Sequence, residues 1–214
     1  MIRFNDFIAP TEGQIVLDDV SWEFYENLLK EIGDGHLRVT YDNGNLEIVS
    51  PQLNRERYGC WISMLIDWMA FERSIEITGT GSATFRIASL KKGLEPDKCF
   101  YVKNALIARK MEGEFDAAIH PVPDLVVEID TTKRHVPRQP VFAALGVKEI
   151  WHFDGTSTRV LRLTSQGKYV ERLRSQVFPF VSMREFGQYV LRMKDKDQSR
   201  VRREFRDWVR NLPA

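Results

Sequence analysis

Apolar residues recur with helical spacing in the first third of the chain. After Ser21, a favourable N-cap residue, positions 22, 25, 28, 29 and 32 are apolar, and Gly33 follows as a stop signal. A second run with the same period predicts a helix from about Asn54 to Phe71. Glu56 lies in the first turn of this second predicted helix.

Shorter apolar segments between and after these helices have the patterns of strands. LRVTY and NLEIVS flank an Asp-Asn-Gly turn and predict a β-hairpin. Strands are also predicted at SIEIT, DKCFYV, KEIWHF and TRVLRL. DLVVEID is apolar up to its final acids, which is typical of a strand buried on both faces. A short helix around VFAALG is predicted to end at Gly146.

The last part of the chain returns to a helical pattern. Ser182 and Glu185 have the spacing of a capping box, and apolar positions continue to Leu212. The sequence therefore predicts an α/β protein: a mixed β-sheet flanked by helices, with an N-terminal helix, a β-hairpin and C-terminal helices over about 182–212. We expect a single domain over residues 1–214 with its core at about 54–164.

The composition agrees with one soluble domain. The chain has 214 residues, of which 43% are hydrophobic and 29% charged, enough to bury a core. It contains no run of about 18 apolar residues and lacks the order of a signal peptide, so we expect a cytoplasmic protein without a membrane span. The two cysteines lack metal-ligand spacing. A net charge of +1 means that any nucleic-acid surface must be local.

Acidic residues concentrate around the predicted central strand. Glu128 and Asp130 leave the same face of this strand, with Cα atoms roughly 7 Å apart. Asp97 follows Pro96 at the start of a strand that comes earlier in the chain and can pair with the strand of Glu128. Asp124 lies on the same strand as Glu128 but roughly 13 Å away by strand rise, so we reject it as a metal ligand.

These acids also have structural interpretations. Glu56 suits the positive end of a helix dipole, Asp97 suits a turn after proline, and Asp130 suits a solvated strand end. Glu128 is harder to explain in this way, because a charged residue within a buried strand needs a partner or a metal.

Two or three carboxylates of this kind predict a Mg²⁺ site. Mg²⁺ prefers oxygen ligands and is usually held by one or two carboxylates together with substrate phosphates. Asp97 and Glu128, assisted by Asp130, match that requirement, and Mn²⁺ is an alternative metal. Such a metal would activate water and polarise a phosphodiester, so that no protein nucleophile is needed.

Several motifs, in this order, resemble the Uma2 family of endonucleases within the PD-(D/E)XK superfamily. They are SWEFYENLLKEIGD, VTYDNGNLEIVSPQLNRERY, GLEPDKCFYV, and PDLVVEID followed by FAALGVKEIWHFDG. The resemblance covers most of the chain. It implies a restriction-endonuclease-like core, a homodimer and cleavage of DNA.

The resemblance also implies roles for individual residues. Glu56 would be the acid of the first core helix, Asp97 the acid of the PD motif and Glu128 the acid of the E-x-K position. Asp130 stands where the superfamily usually has lysine. Arg138 is the best substitute for that cation, because a guanidinium is permanently charged and binds phosphate in bidentate fashion.

A basic cluster follows the predicted strand and suggests contact with nucleic acid. Lys133, Arg134 and Arg138 are the candidate phosphate ligands in this cluster, and Lys133 is also a second candidate for the missing cation. The family tends to carry an acid where this chain has Pro137. The four histidines show no metal-ligand spacing and are interpreted as ordinary residues. The basic residues between 192 and 210 are interpreted as a solvated helix face.

The working hypothesis is a Mg²⁺-dependent DNA endonuclease. Asp97 and Glu128 bind the metal, Asp130 assists, Glu56 orients the metal-bound water and Arg138 stabilises charge at the phosphate. The main alternative is a catalytically inactive nuclease-fold module that binds nucleic acid or assembles with a partner, as the missing lysine and Pro137 suggest. A carboxylate-pair glycosidase has little support, because nothing in the sequence indicates a sugar-binding cleft.

Overall fold

A computed structural model describes residues 13–33, 35, 37–50, 52–131 and 134–213. Within these residues, two β-sheets are flanked by helices. The strands are β1 (Gln14–Leu17), β2 (Arg38–Asp42), β3 (Asn45–Val49), β4 (Thr78–Gly81), β5 (Phe85–Ile87), β6 (Lys92–Leu94), β7 (Lys98–Tyr101), β8 (Leu125–Ile129), β9 (Glu149–Phe153), β10 (Thr158–Leu163) and β11 (Tyr169–Arg172). The α-helices are α1 (Trp22–Ile32), α2 (Leu53–Glu72), α3 (Ala105–Ala108), α4 (Gln139–Leu145), α5 (Met183–Asp195) and α6 (Gln198–Asn211).

The first sheet is antiparallel and contains the predicted hairpin. Its strand order is β1-β3-β2-β6-β5. The hairpin turns at Asn43 and Gly44, which have φ of 47° and 98°, the left-handed conformation that a tight two-residue turn requires. Helix α1 covers this sheet, and Tyr25 of α1 stacks on Tyr41 of β2 with ring centroids 4.9 Å apart.

The second sheet is mixed and carries most of the core. Its order is β11-β10-β9-β8-β7-β4, with β8 parallel to β9 and antiparallel to β7. Helices α2, α5 and α6 supply the core on one face. On the other face the core includes α4 together with Phe85 and Leu94 of the first sheet. Strand β8 is therefore buried on both sides, as its continuous apolar sequence predicts.

Helix α2 places a charged residue on its buried face. Tyr58, Ile62, Leu65 and Met69 form a stripe at helical spacing that packs in the core. Arg55 lies one turn before Tyr58, continues the same stripe and is 4% exposed. The helix thus delivers a guanidinium to the edge of the core.

Most of the predicted elements are confirmed, with two corrections. Ser74–Ile77 of the predicted SIEIT strand is turn and irregular chain, and β4 begins only at Thr78. The hairpin belongs to the first sheet, which is separate from the mixed sheet; the pattern does not predict this separate sheet, because β1, β5 and β6 have only three or four residues each. In the described ranges, no helix is long and apolar enough to cross a bilayer.

Candidate active site

Strand pairing brings the two central acids together. Lys98 of β7 pairs with Val127 of β8, so the next residues outward, Asp97 and Glu128, lie opposite each other. The backbone N–H of Asp97 points to Oε1 of Glu128 at 3.4 Å. Both side chains are buried. The predicted opposition of Asp97 and Glu128 is therefore present in the structure.

Asp97 is held by a buried arginine on α2. The Nε and Nη2 atoms of Arg55 each donate to one carboxylate oxygen of Asp97 at 2.8 Å. The backbone N–H of Ile129 donates to the same carboxylate at 2.7 Å. Burial acts to raise the pKa of Asp97, but the charge and hydrogen bonds of Arg55 outweigh it and hold this pKa below its usual range.

Glu128 pairs with a second buried arginine, Arg138, which directly precedes α4. Arg138 Nε lies 2.9 Å from Glu128 Oε2, and the guanidinium lies 5.6 Å from the centroid of the Phe142 ring. Its Nη2 donates to the Glu95 carbonyl. Here burial prevails over the attraction between the charges: it raises the pKa of Glu128 to about 7 and lowers the pKa of Arg138.

Asp130 directly follows β8 and contacts an arginine and a histidine. Its carboxylate is 3.2 Å from Arg134 Nε and 3.0 Å from His152 Nε2. Burial acts to raise the pKa of Asp130, but the hydrogen bond with His152 and the charge of Arg134 hold it well below the usual range. His152, which the sequence interpretation treats as an ordinary residue, therefore lies beside the candidate site.

Glu56 lies beside this group. Its carboxylate pairs with Arg38 of β2 at 3.1 Å, and its side chain is 37% exposed. Arg38 also donates to the carbonyl of Pro96 at 3.1 Å, directly before Asp97. Glu56 is thus connected to the PD segment through an arginine of the other sheet.

A buried glutamate of the first sheet positions the loop before α4. Glu47 is fully buried, contacts Arg134 Nη1 at 3.2 Å and accepts the backbone N–H of His135 at 2.7 Å. The candidate phosphate ligands Arg134 and Arg138 lie on this loop. Lys133, the third candidate, lies outside the described residues.

The sequence interpretation named Arg134 and Arg138 but missed Arg55, Arg38 and Glu47. Arg55 could have been recognised, because it continues the apolar stripe of α2 whereas Glu56 lies off that stripe. Arg38 and Glu47 belong to the hairpin sheet, whose position relative to β8 has no local signal. The rejection of Asp124 is consistent with the structure, where it accepts the backbone N–H groups of Val102 and Lys103.

Each carboxylate of the central group is paired with a guanidinium. Its three carboxylates are those of Asp97, Glu128 and Asp130, and its three guanidiniums are those of Arg55, Arg134 and Arg138. Within the described part of the chain, no group of three or more His, Cys, Asp or Glu side chains is arranged to hold a metal ion. A free cation would therefore have to compete with a guanidinium for each of these carboxylates.

Two of these arginines have unused hydrogen-bonding capacity. Arg138 Nη1 and Arg134 Nη2 are buried and meet no hydrogen-bond acceptor among the described residues. Buried donors of this kind are uncommon in proteins and favour an acceptor that enters the site. Both residues line a cleft of about 530 Å³ that also reaches Glu128, Asp130 and His152.

The structure is thus that of a mixed α/β protein with two β-sheets and flanking helices, in which opposed acids on adjoining strands have arginines beside them. A family model described as "Putative restriction endonuclease", that of Uma2, matches residues 22–188. The chain belongs to the Uma2 family, as the sequence motifs predict.

Comparison with solved structures gives a distant match. A crystal structure described as a "putative nuclease belonging to DUF820", from Anabaena variabilis, is 14% identical, with a TM-score of 0.44 over 70% of this chain and 83% of the other. None of the curated proteins compared with the chain matches it.

Proposed function

We propose that the chain is a Mg²⁺-dependent endonuclease that hydrolyses phosphodiester bonds in DNA at Asp97 and Glu128. The observation that carries this proposal is the opposition of these two buried acids across β7 and β8, with the Asp97 N–H 3.4 Å from Glu128 Oε1. Membership of a family described as a restriction endonuclease supports the same reaction class.

The residues fit Mg²⁺ on one condition. Two carboxylates plus a substrate phosphate are a common donor set for this ion. Without the phosphate, each of the three acids of the central group is already paired with an arginine. An entering phosphate supplies alternative acceptors for the arginine donors and further negative charge for the metal. The proposal is therefore that Mg²⁺ binds together with nucleic acid and only weakly before it.

The residues of the chain divide the work of this reaction. Asp97 and Glu128 would hold the metal, with Asp130 as a further carboxylate beside them. The metal would lower the pKa of a bound water and polarise the phosphate. Arg138 binds the phosphate and balances the charge that develops on it, which a guanidinium does in bidentate fashion. Glu56 would orient the attacking water after parting from Arg38.

The nucleic-acid surface is proposed around the same loop. Arg134 and Arg138 are placed there by Glu47 and by the start of α4, and Lys133 adjoins them in the sequence. Phosphate contacts from such residues provide affinity without sequence preference. A homodimer would allow both strands of a duplex to be cut.

A cleavage assay tests the proposed activity. Purified protein with Mg²⁺ or Mn²⁺ should nick or cut plasmid DNA, and a chelator should stop the reaction. Glu128→Gln and Asp97→Asn should each lower the rate at least about a hundredfold, since even indirect metal partners contribute roughly 10–100-fold. Asp207→Asn, an acid on the exposed side of α6, is the matched control and should cleave normally. If the wild-type protein cleaves neither DNA nor RNA, the proposed nuclease activity is refuted.

The Arg55–Asp97 pair favours a second candidate function, that of an inactive nuclease-fold module. Asp97 already accepts two hydrogen bonds from Arg55 and one from Ile129, so a metal ion would have to displace these donors. In this case the protein would bind DNA equally well in a chelator and with Mg²⁺, and would not cleave it. Metal-dependent cleavage lost in Glu128→Gln would exclude this candidate.

A further inference from the structure

One face of the mixed sheet is only partly covered. Helices α2, α5 and α6 cover one face, whereas α4, with only seven residues, lies on the other. The cleft of about 530 Å³ lies beside α4 on that second face. Its wall is formed by Ile150, Leu161 and Tyr169, which begin or lie within three neighbouring strands.

The cleft is lined by two kinds of side chain. The wall is apolar, and the Tyr169 ring in it is fixed because its hydroxyl donates to the Val147 carbonyl at 2.6 Å. The cleft is also lined by Arg134 and Arg138, whose side chains are 9% and 5% exposed. These are the arginines whose buried donors meet no acceptor in the described part of the chain.

This combination matches the chemistry of a nucleotide. An apolar wall that contains an aromatic ring packs against the face of a base, and guanidinium groups donate hydrogen bonds to a phosphate. The volume lies in the range of roughly 300–1,000 Å³ that is usual for small-ligand sites. An apolar ligand without a phosphate would leave the arginine donors unsatisfied, and inorganic phosphate alone would leave the wall empty.

We infer that the cleft binds the base of one unpaired nucleotide whose phosphate is held at Arg138. A base inside a duplex is stacked and paired, so it reaches such a cleft only from single-stranded nucleic acid or after extrusion from the helix. The preferred substrate is therefore unpaired at this position. This inference rests on the proposed function for the identity of the phosphate, and it adds the strand preference.

Binding measured without metal tests this inference separately from catalysis. A short fluorescein-labelled oligonucleotide is titrated with the full-length protein in a chelator, once single-stranded and once annealed to its complement, and polarisation is recorded. Tyr169→Ala removes the ring from the wall, and Tyr169→Phe is its matched control, since it keeps the ring. Leu161→Trp fills the cleft from another strand, and Lys194→Ala on the far side of the fold is the control for charge.

The wild type should bind the single strand at least about tenfold more tightly than the duplex, which is the scale of one stacked base. Tyr169→Ala and Leu161→Trp should each remove most of this preference, while Tyr169→Phe and Lys194→Ala keep it. Circular dichroism confirms that each variant is folded.

Equal affinity for the two forms, or a preference that survives both cleft variants, would overturn the inference. Cleavage confined to duplex DNA would overturn it while leaving the proposed function intact. A preference for the single strand in a protein that cleaves no nucleic acid would support the inference and contradict the proposed function.

Discussion

Two acid–arginine pairs lie side by side in this protein and differ in their balance of forces. In Arg55–Asp97, two 2.8 Å hydrogen bonds and a third from Ile129 outweigh burial, so the acid titrates below its usual range. In Arg138–Glu128, one contact at 2.9 Å does not compensate for burial, so the acid titrates near pH 7. We call Arg55–Asp97 the closed pair, because its carboxylate accepts three hydrogen bonds. We call Arg138–Glu128 the open pair, because Arg138 keeps buried donors without an acceptor among the described residues.

This difference assigns different parts to the two pairs. A buried ion pair is stable only when its geometry and additional hydrogen bonds repay the loss of solvation. Arg55–Asp97 meets that condition and contributes to the fold. Arg138–Glu128 meets it only in part: its arginine lines the cleft and has a buried donor for which the described residues provide no acceptor. A ligand that enters the cleft should act on the second pair first.

The largest expected effect comes from breaking the closed pair. Arg55→Ala leaves Asp97 buried and charged without a partner, which costs about 3–5 kcal/mol of the free energy of unfolding. Urea denaturation of the variant measures this loss. Arg57→Ala, two residues along the same helix but exposed, should cost about 1 kcal/mol or less. Similar losses for both variants would show that the closed pair has no special role.

The open pair should be easier to break. In Arg138→Ala, Glu128 can take up a proton because its pKa is already raised to about 7, so the loss of stability is about 1–3 kcal/mol. The same urea experiment compares the two arginines directly. The variant should also weaken DNA binding, which Arg57→Ala should not. A stability loss larger than that of Arg55→Ala would reverse the comparison.

The pH dependence of stability, compared between the wild type and Glu128→Gln, should isolate the contribution of Glu128. Its pKa rises from 4.5 to about 7 on folding, so between these values the folded protein binds more protons than the unfolded chain. The contribution of Glu128 to the free energy of unfolding therefore falls as the pH rises through this window. Glu128→Gln cannot lose a proton, and between about pH 5 and about pH 8 it should gain about 1–3 kcal/mol relative to wild type. A constant difference would mean that the pKa of Glu128 is not raised.

The smallest effect is expected at the partly exposed acid. Asp130→Asn weakens the contacts with Arg134 and His152, and because the Asp130 side chain is 23% exposed, water replaces part of the loss. We expect a cost of about 0.5–1.5 kcal/mol in urea denaturation. If Asp130 also assists the metal, the same variant should lower the cleavage rate. Normal cleavage with reduced stability would assign it to structure alone.

The sequence was sufficient for the centre of the site. The apolar run before Glu128 predicts a buried strand, and the Pro96–Asp97 step predicts the start of a pairing strand, because both signals are local. The registers of β7 and β8 then place Asp97 and Glu128 opposite each other. Local signals also predict the hairpin turn and the end of α4 at Gly146, which has φ of 82°.

The partners of the acids could be predicted only in part. The spacing of apolar residues along α2 predicts that Arg55 is buried and Glu56 is not. It does not predict that Asp97 is the partner of Arg55. Arg38 and Glu47 reach the site because the first sheet lies against the second, and this contact joins residues far apart in the chain. The pKa of each acid depends on how burial and the attraction of its arginine compare. That comparison depends on interatomic distances, which no sequence pattern predicts.

Titration calorimetry with Mg²⁺ tests the central proposal most directly. The protein is titrated alone and with a nuclease-resistant phosphorothioate oligonucleotide, and the same is done with Asp97→Asn and Glu128→Gln. We predict weak Mg²⁺ binding to the free protein, binding at least about tenfold tighter with the oligonucleotide, and loss of this tighter binding in both variants. Mg²⁺ binding that the oligonucleotide does not strengthen, or that persists in both variants, would contradict the account.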